Sequence, residues 1–158
     1  MRQYGQLTAS AEAVTALVFR AGSLLCALPL DEVIETMRPL PSRPLTGTPG
    51  FVLGISVLRG VPTPVIDVAR LLTGVAGEVE RYVAVRTERG PVALAIGTVL
   101  GILDTEVGPA DAHPALLGGS HRLVAGVATL GSEPLLLLQN MRAVPDEVWQ
   151  AAAAADSR

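Results

Sequence analysis

The 158-residue chain has the length of one compact domain, or of two small halves that share a core. Aliphatic side chains must fill that core, because 49% of the residues are hydrophobic and only 3% are aromatic. The net charge of −3 leaves no basic excess for binding nucleic acid. No apolar stretch approaches the roughly 20 residues of a membrane span, and the N-terminus lacks the pattern of a secretory signal.

Eight strands are predicted in chain order, grouped into four hairpins, after a first dozen residues that we expect to be loose. The predicted strands span residues 15–20, 23–30, 52–58, 61–68, 81–87, 91–96, 122–130 and 134–138. Ala21-Gly22 forms the first predicted turn. Gly60 suits the positive φ of a tight turn and leaves Arg59 at the apex. Pro62 and Pro64 place the start of the following strand at a sheet edge, before the strand enters the core at Val65.

Helical signals are short and few. We expect helical pieces after Asp67, at residues 114–117, and at the C-terminus, where Asp146 begins a segment that runs through Trp149 into five alanines. Asp67 is predicted to cap the first of these pieces. The single cysteine, Cys26, lies in an apolar run, which indicates a buried thiol in a protein of a reducing cytoplasm.

The two halves of the chain resemble one unit used twice. At an offset of 66 residues the segment around Val18 matches the segment around Ala84, and Val33 matches Val99. At an offset of 72 residues Gly54 matches Gly126. The matches are few and mostly apolar, so two ordinary β patterns remain the alternative to a duplication.

Four segments together carry a resemblance to a known family, and they span residues 17–36, 49–68, 92–103 and 123–144. In this order they resemble the CheW-like domain, the coupling module of bacterial chemosensory arrays, over residues 14–144. The most specific part is Gly54, the Arg59-Gly60 pair and the run Pro64-Val65-Ile66-Asp67 at their spacing.

The resemblance implies an all-β fold of two intertwined, pseudo-symmetric, five-stranded SH3-like barrels with short helical turns. The first barrel is expected at about residues 14–72 and the second at about 81–144. A flexible N-terminus (1–12) and a C-terminal helix or tail (145–158) flank this CheW-like domain.

The function implied by the resemblance is that of a non-enzymatic, freestanding adaptor without a cofactor or metal. Such adaptors join the regulatory domain of a CheA-type histidine kinase to the cytoplasmic tip of methyl-accepting chemoreceptors, at membrane-associated arrays in the cytoplasm.

The resemblance implies seven partner-binding residues in this chain. The receptor is expected near Val33, which supplies apolar contact, and Glu35, which supplies a charge. At Gly54 the absence of Cβ would let the partner's backbone approach. Arg59, in its corner with Gly60, either hydrogen-bonds the partner or braces from within the groove between the barrels, where the resemblance implies that the receptor binds. Val99 and Leu100 are candidates for packing against the kinase domain.

Other functions have weaker support in the sequence. Val57 and Gly97 stand where many family members have Asn and Asp, which fits a variant scaffold of a pilus-type or other specialised signalling system. A small-molecule-binding barrel is less favoured, because barrels of about 65 residues filled with aliphatic side chains leave little room.

An enzyme has no positive signal. The two histidines, His113 and His121, lie eight residues apart without a cysteine cluster, and the chain has neither a lysine nor a phosphate-binding loop. His121 with Asp104 or Asp111 is the one acid–base pair that the sequence offers.

Overall fold

The computed structural model describes residues 12–109, 123–139 and 144–156, which form ten β-strands, two α-helices and one short 3-10 helix. The strands are β1 (Glu12–Ala21), β2 (Leu24–Pro29), β3 (Val33–Met37), β4 (Val52–Leu58), β5 (Val61–Asp67), β6 (Arg81–Thr87), β7 (Gly90–Ile96), β8 (Val99–Pro109), β9 (Val124–Leu130) and β10 (Glu133–Leu138). The helices are α1 (Val68–Thr73) and α2 (Asp146–Asp156), and the 3-10 helix spans Leu30–Glu32. The loose N-terminus and the helix at 114–117 were predicted at positions that fall almost wholly outside the described residues. Neither α-helix of the described ranges is long and apolar enough to cross a membrane.

The strands form two sheets of the same topology. One is a closed barrel with the order β8-β1-β2-β10-β9, called barrel I here, and the other has the order β3-β6-β7-β5-β4 and is called barrel II. Each of the strands β1–β5 is matched to the strand five places later, so that β1 corresponds to β6 and β3 to β8. With this matching the two strand orders coincide. The pseudo-symmetric, intertwined fold implied by the family resemblance is therefore confirmed, and it agrees with the repeat.

Each barrel takes strands from both halves of the sequence. The hairpin β1–β2 joins β8, β9 and β10, and the hairpin β6–β7 joins β3, β4 and β5. Parallel pairing of β2 with β10 and antiparallel pairing of β1 with β8 make the first joint. Parallel pairing of β5 with β7 and antiparallel pairing of β3 with β6 make the second. The boundaries expected for the barrels, about 14–72 and 81–144, thus delimit the two repeats and not the two sheets.

Barrel II closes through an isolated bridge between Arg43 and β4. The Arg43 backbone N–H donates to the Ile55 carbonyl at 2.8 Å, and the Ile55 N–H donates to the Arg43 carbonyl at 3.0 Å. The buried Ser56 hydroxyl donates to the Pro41 carbonyl at 2.8 Å and holds the same segment. In barrel I the equivalent step is the pairing of Gly108 with Val127, which lies 72 residues after Ile55. Both barrels therefore close at the same position of the repeat.

Three apolar clusters stabilise this arrangement. The largest draws on both barrels and includes Phe19, Ile66, Leu94 and Leu138, each buried completely. Two smaller clusters belong to barrel I and barrel II separately. Cys26 is buried in the largest cluster, as predicted, and burial raises the pKa of its thiol to about 12.

The end of β5 behaves as the sequence predicts. β5 pairs with β4 along its length but with β7 only from Val65 onward, so Pro62 and Pro64 precede the doubly paired part of the strand. The Asp67 carboxylate caps α1 by accepting from the Arg70 N–H at 3.1 Å, and its other oxygen accepts from the Gly77 N–H at 3.3 Å. Both oxygens of this buried carboxylate are thus hydrogen-bonded.

Candidate partner-binding surfaces

The corner between β4 and β5 is a two-residue turn with unusual backbone angles. Leu58 pairs with Val61, which leaves Arg59 and Gly60 as the central residues, with φ of 48° and 81°. Two successive positive φ angles are typical of the type I′ hairpin turn. Arg59 is the one non-glycine residue with positive φ in the described ranges. The equivalent residue of barrel I is Gly131, with φ of 65°, so Arg59 carries backbone strain that glycine avoids.

The Arg59 side chain is held by Glu35. Arg59 Nε donates to Glu35 Oε2 at 2.5 Å, and Nη2 donates to Oε1 at 2.8 Å. Hydrogen bonding by Arg59 lowers the pKa of Glu35, and the carboxylate raises the pKa of Arg59. Because Glu35 lies on the edge strand β3, the pair spans the seam between β3 and the β4–β5 turn. The structure thus shows an ion pair across this seam, and the partner contact expected of Arg59 stays a prediction.

The brace leaves Arg59 accessible. Its side chain is 78% exposed, whereas that of Glu35 is 26% exposed. In barrel I the equivalent positions are Gly101 and Gly131, so that barrel has no such pair. Leu130 beside its seam is 37% exposed, although its counterpart Leu58 is only 7% exposed. The Glu35–Arg59 pair is therefore specific to barrel II, whereas the ion pair of barrel I joins Arg20 of β1 to Glu133 of β10.

Gly54 has a structural role that differs from the one expected. Its φ is 140° and it lies at a register shift of β4, which is the signature of a bulge. A Cβ built on Gly54 would lie 2.1 Å from the carbonyl oxygen of Arg43. The backbone that approaches this glycine closely is therefore the chain's own, at the bridge that closes barrel II. Gly126 has a similar role in barrel I, where a Cβ would lie 2.5 Å from the Gly108 carbonyl oxygen and 2.2 Å from Val107 Cγ1.

Two exposed aliphatic side chains occupy equivalent bulges. The pairing of β3 with β6 shifts between Val33 and Glu35, so that Ile34 bulges and is 43% exposed. The pairing of β1 with β8 shifts in the same way, so that Leu100 bulges and is 50% exposed. Ile34 and Leu100 are 66 residues apart, the offset of the repeat.

The valines beside these bulges face inward. Val33 and Val99 are half-buried and pack against the largest cluster. Leu100 was among the residues predicted from the sequence to bind a partner, but Ile34 was not, although the offset of 66 residues pairs the two. Ile102, 57% exposed on β8, extends the apolar surface next to Leu100 and was also missed.

Comparison with known proteins identifies the fold. The family model described as the CheW-like domain matches residues 15–147. The chain belongs to the CheW-like domain family. It is 30% identical over 143 residues to Protein FrzA of Myxococcus xanthus, an alignment that covers 86% of this chain and 88% of FrzA. The scaffolding protein TtCheW from Thermoanaerobacter tengcongensis has the same fold, with a TM-score of 0.70 and 21% identity over 81% of this chain and 90% of TtCheW.

CheW-like proteins are non-enzymatic scaffolds. Of the acid–base pairs considered from the sequence, His121 and Asp111 lie outside the described residues, as does His113. Asp104 accepts a hydrogen bond from Thr15 Oγ1 at 2.5 Å. No group of three potential metal ligands occurs within residues 12–109, 123–139 and 144–156.

Proposed function

We propose that this CheW-like chain is an adaptor that binds two different partners at its two barrels. The partners are the cytoplasmic tip of a methyl-accepting chemoreceptor and the regulatory domain of a CheA-type histidine kinase, in cytoplasmic arrays at the membrane. The supporting observation is the pair of equivalent bulges that expose Ile34 and Leu100. Because only barrel II has the Glu35–Arg59 corner beside its bulge, the two surfaces are related in position but different in chemistry.

The receptor surface is placed on barrel II. Ile34 supplies the apolar contact first expected of Val33, and the exposed face of Arg59 beside Gly60 offers hydrogen-bond donors to a carboxylate or carbonyl of the receptor. Glu35 orients the guanidinium through two hydrogen bonds, which reduces the entropy lost on binding. Gly54 contributes indirectly, since it allows the closure that sets the distance between β3 and the corner.

The kinase surface is placed on barrel I. Leu100 and Ile102 are exposed aliphatic side chains on β8, and Val99 packs on the core side of the same strand. Burying a large aliphatic side chain contributes roughly 1.5–3 kcal/mol, which is the size of an interface hot spot. By holding both partners in a fixed relation, the adaptor would let a shift in the receptor bias the kinase.

A matched set of aspartate variants tests this assignment. Ile34→Asp is expected to weaken receptor binding and Leu100→Asp kinase binding, each by at least about tenfold, or about 1.4 kcal/mol. Val75→Asp is the control, because Val75 is 69% exposed after α1 and belongs to neither bulge. Isothermal titration with a receptor fragment and with the kinase domain measures both affinities. The assignment fails if the folded Ile34 and Leu100 variants bind both partners as the control does.

A scaffold for a pilus-type or other specialised system is the second candidate. The observation that favours it is Val57, which is 62% exposed on the strand that leads to the Arg59 corner. This surface is apolar where many family members have Asn. Val57→Asn is expected to raise affinity for the tip of a motility chemoreceptor if the chain serves a specialised receptor. Unchanged or reduced affinity would favour the motility assignment.

A further inference from the structure

The C-terminal helix α2 is attached to barrel II by few side chains. Val148 and Ala152 are buried, and Val148 and Trp149 join the largest cluster. The rest of the helix is mostly alanine, which buries little area. An isolated helix of 11 residues is marginal in water, since lengths below about 12–15 residues rarely hold helical structure alone. The order of α2 therefore depends on its docking.

One arginine fastens the start of α2. Arg89, in the turn between β6 and β7, forms an ion pair with Asp146. Its guanidinium also lies over the ring of Trp149, 5.5 Å from the centroid. Gly90 adjoins the same ring, and a Cβ there would lie 3.4 Å from it. Because the side chains of Arg89 and Asp146 are 50% and 77% exposed, salt should screen this ion pair.

The second half of α2 borders a groove. Ala151, Ala154 and Ala155, which share one helix face, form one wall of a surface groove of about 650 Å³. Leu45 and Val57 also line this groove. Of residues 151–155 only Ala152 is buried, so this half of the helix buries little apolar area. The groove also runs along β4 toward the Arg59 corner.

We propose that α2 is a strap that opens as a unit while both barrels stay folded, with Arg89 as its latch. Opening removes one wall of the groove and uncovers the outer side of β5. The physical basis is the contrast between the dense clusters inside the barrels and the small contact of α2. Elements with few buried apolar contacts open locally at lower free energy than the whole domain. This inference concerns a conformational change in the chain itself and is independent of which partners bind.

Hydrogen exchange measured by mass spectrometry on the full chain tests the strap. We expect amides of residues 146–156 to exchange at least tenfold faster than those of β5 and β7. Arg89→Glu should raise the exchange rate of the helix amides about fivefold above that of the wild type and leave the exchange rates of β1 and β2 unchanged. Arg81→Glu is the matched control, because Arg81 is an exposed arginine at the other end of β6. Raising salt from low to high concentration should accelerate helix exchange in the wild type but not in Arg89→Glu.

Trp149 provides a second readout, because it is the single tryptophan of the chain. Its fluorescence should change at lower urea concentration than the far-ultraviolet circular dichroism of the sheets. Coincident transitions, or helix amides that exchange as slowly as those of β5, would show that α2 unfolds only with the barrels and would overturn the proposal. A helix that exchanges rapidly but responds equally to Arg89→Glu and Arg81→Glu would refute the latch.

Discussion

Replacing glycine by alanine can destabilise a protein through backbone strain at positive φ or through a steric clash of the new Cβ. Three glycines of this chain differ in these two effects, and their alanine variants test how barrel II closes. Gly54 combines φ of 140° with a Cβ position 2.1 Å from the Arg43 carbonyl oxygen. Gly101 has the same φ of 140°, but a Cβ there meets nothing within 4 Å. Gly126 lacks positive φ, yet a Cβ there would lie 2.2 Å from Val107 Cγ1. Gly54 thus combines both effects, Gly101 has backbone strain alone, and Gly126 has the steric clash alone.

The expected magnitudes follow from these geometries. Strain at a positive φ costs about 1–3 kcal/mol, which is the whole effect expected for Gly101→Ala. In Gly54→Ala the Arg43 carbonyl must also move by about 1 Å, because such contacts rarely fall below 3.0 Å. That movement breaks the two hydrogen bonds between Arg43 and Ile55, worth about 1 kcal/mol each. The total for Gly54→Ala is therefore about 3–5 kcal/mol.

Urea unfolding followed by circular dichroism measures these differences, and thermal melting offers a check. At about 2–4 °C per kcal/mol for a chain of this size, Gly54→Ala should lower Tm by about 6–20 °C. Equal destabilisation by Gly54→Ala and Gly101→Ala would refute the reasoning. It would mean that the Arg43 contact is unimportant and that the space beside Gly54 is open to a partner.

Three other perturbations probe the corner and the cap. Arg59→Gly should be more stable than Arg59→Ala by about 1 kcal/mol in urea unfolding, because glycine relieves the positive φ while both variants lose the ion pair; equal stabilities would contradict the strain. Since Arg59 lowers the pKa of Glu35, the pair stabilises the folded state fully above the usual glutamate pKa of about 4.3 and is lost as pH falls through the lower folded value. Unfolding curves of the wild type and Glu35→Gln should therefore differ at pH 7 and converge toward pH 3, and a constant difference would exclude this linkage. Asp67→Ala should cost about 1–2 kcal/mol through the lost cap, and an unchanged urea midpoint would contradict that role.

Much of the fold could be predicted from the sequence. Hairpins with two-residue turns and aliphatic strands leave a local signal, and the repeat appeared as matches at offsets of 66 and 72 residues. β3 and β8 were missed, because the bulges at Ile34 and Leu100 interrupt the alternation and polar residues such as Glu35 and Asp104 interrupt the apolar pattern. The exchange of hairpins between halves left no local trace, since a strand has the same pattern whichever sheet it joins.

The contacts of the candidate partner-binding residues were less predictable, because they too depend on how distant segments of the chain come together. Arg59 and Glu35 were each identified as partner-binding, but their pairing depends on a seam that brings residues 24 positions apart into contact. The close approach at Gly54 depends on where the segment around Arg43 returns to β4, which tertiary structure decides. A glycine in a strand indicates crowding, but it does not say whether the crowding atom belongs to the chain or to a partner.

Simultaneous binding is the most direct test of the adaptor function. Size-exclusion chromatography with light scattering on the chain, a receptor fragment and a CheA-type regulatory domain should detect a ternary complex with one copy of the chain. The proposed two-surface arrangement predicts that saturating one partner leaves the affinity for the other unchanged or higher. Displacement of one partner by the other would contradict separate surfaces, and failure to bind either partner would contradict the adaptor function itself.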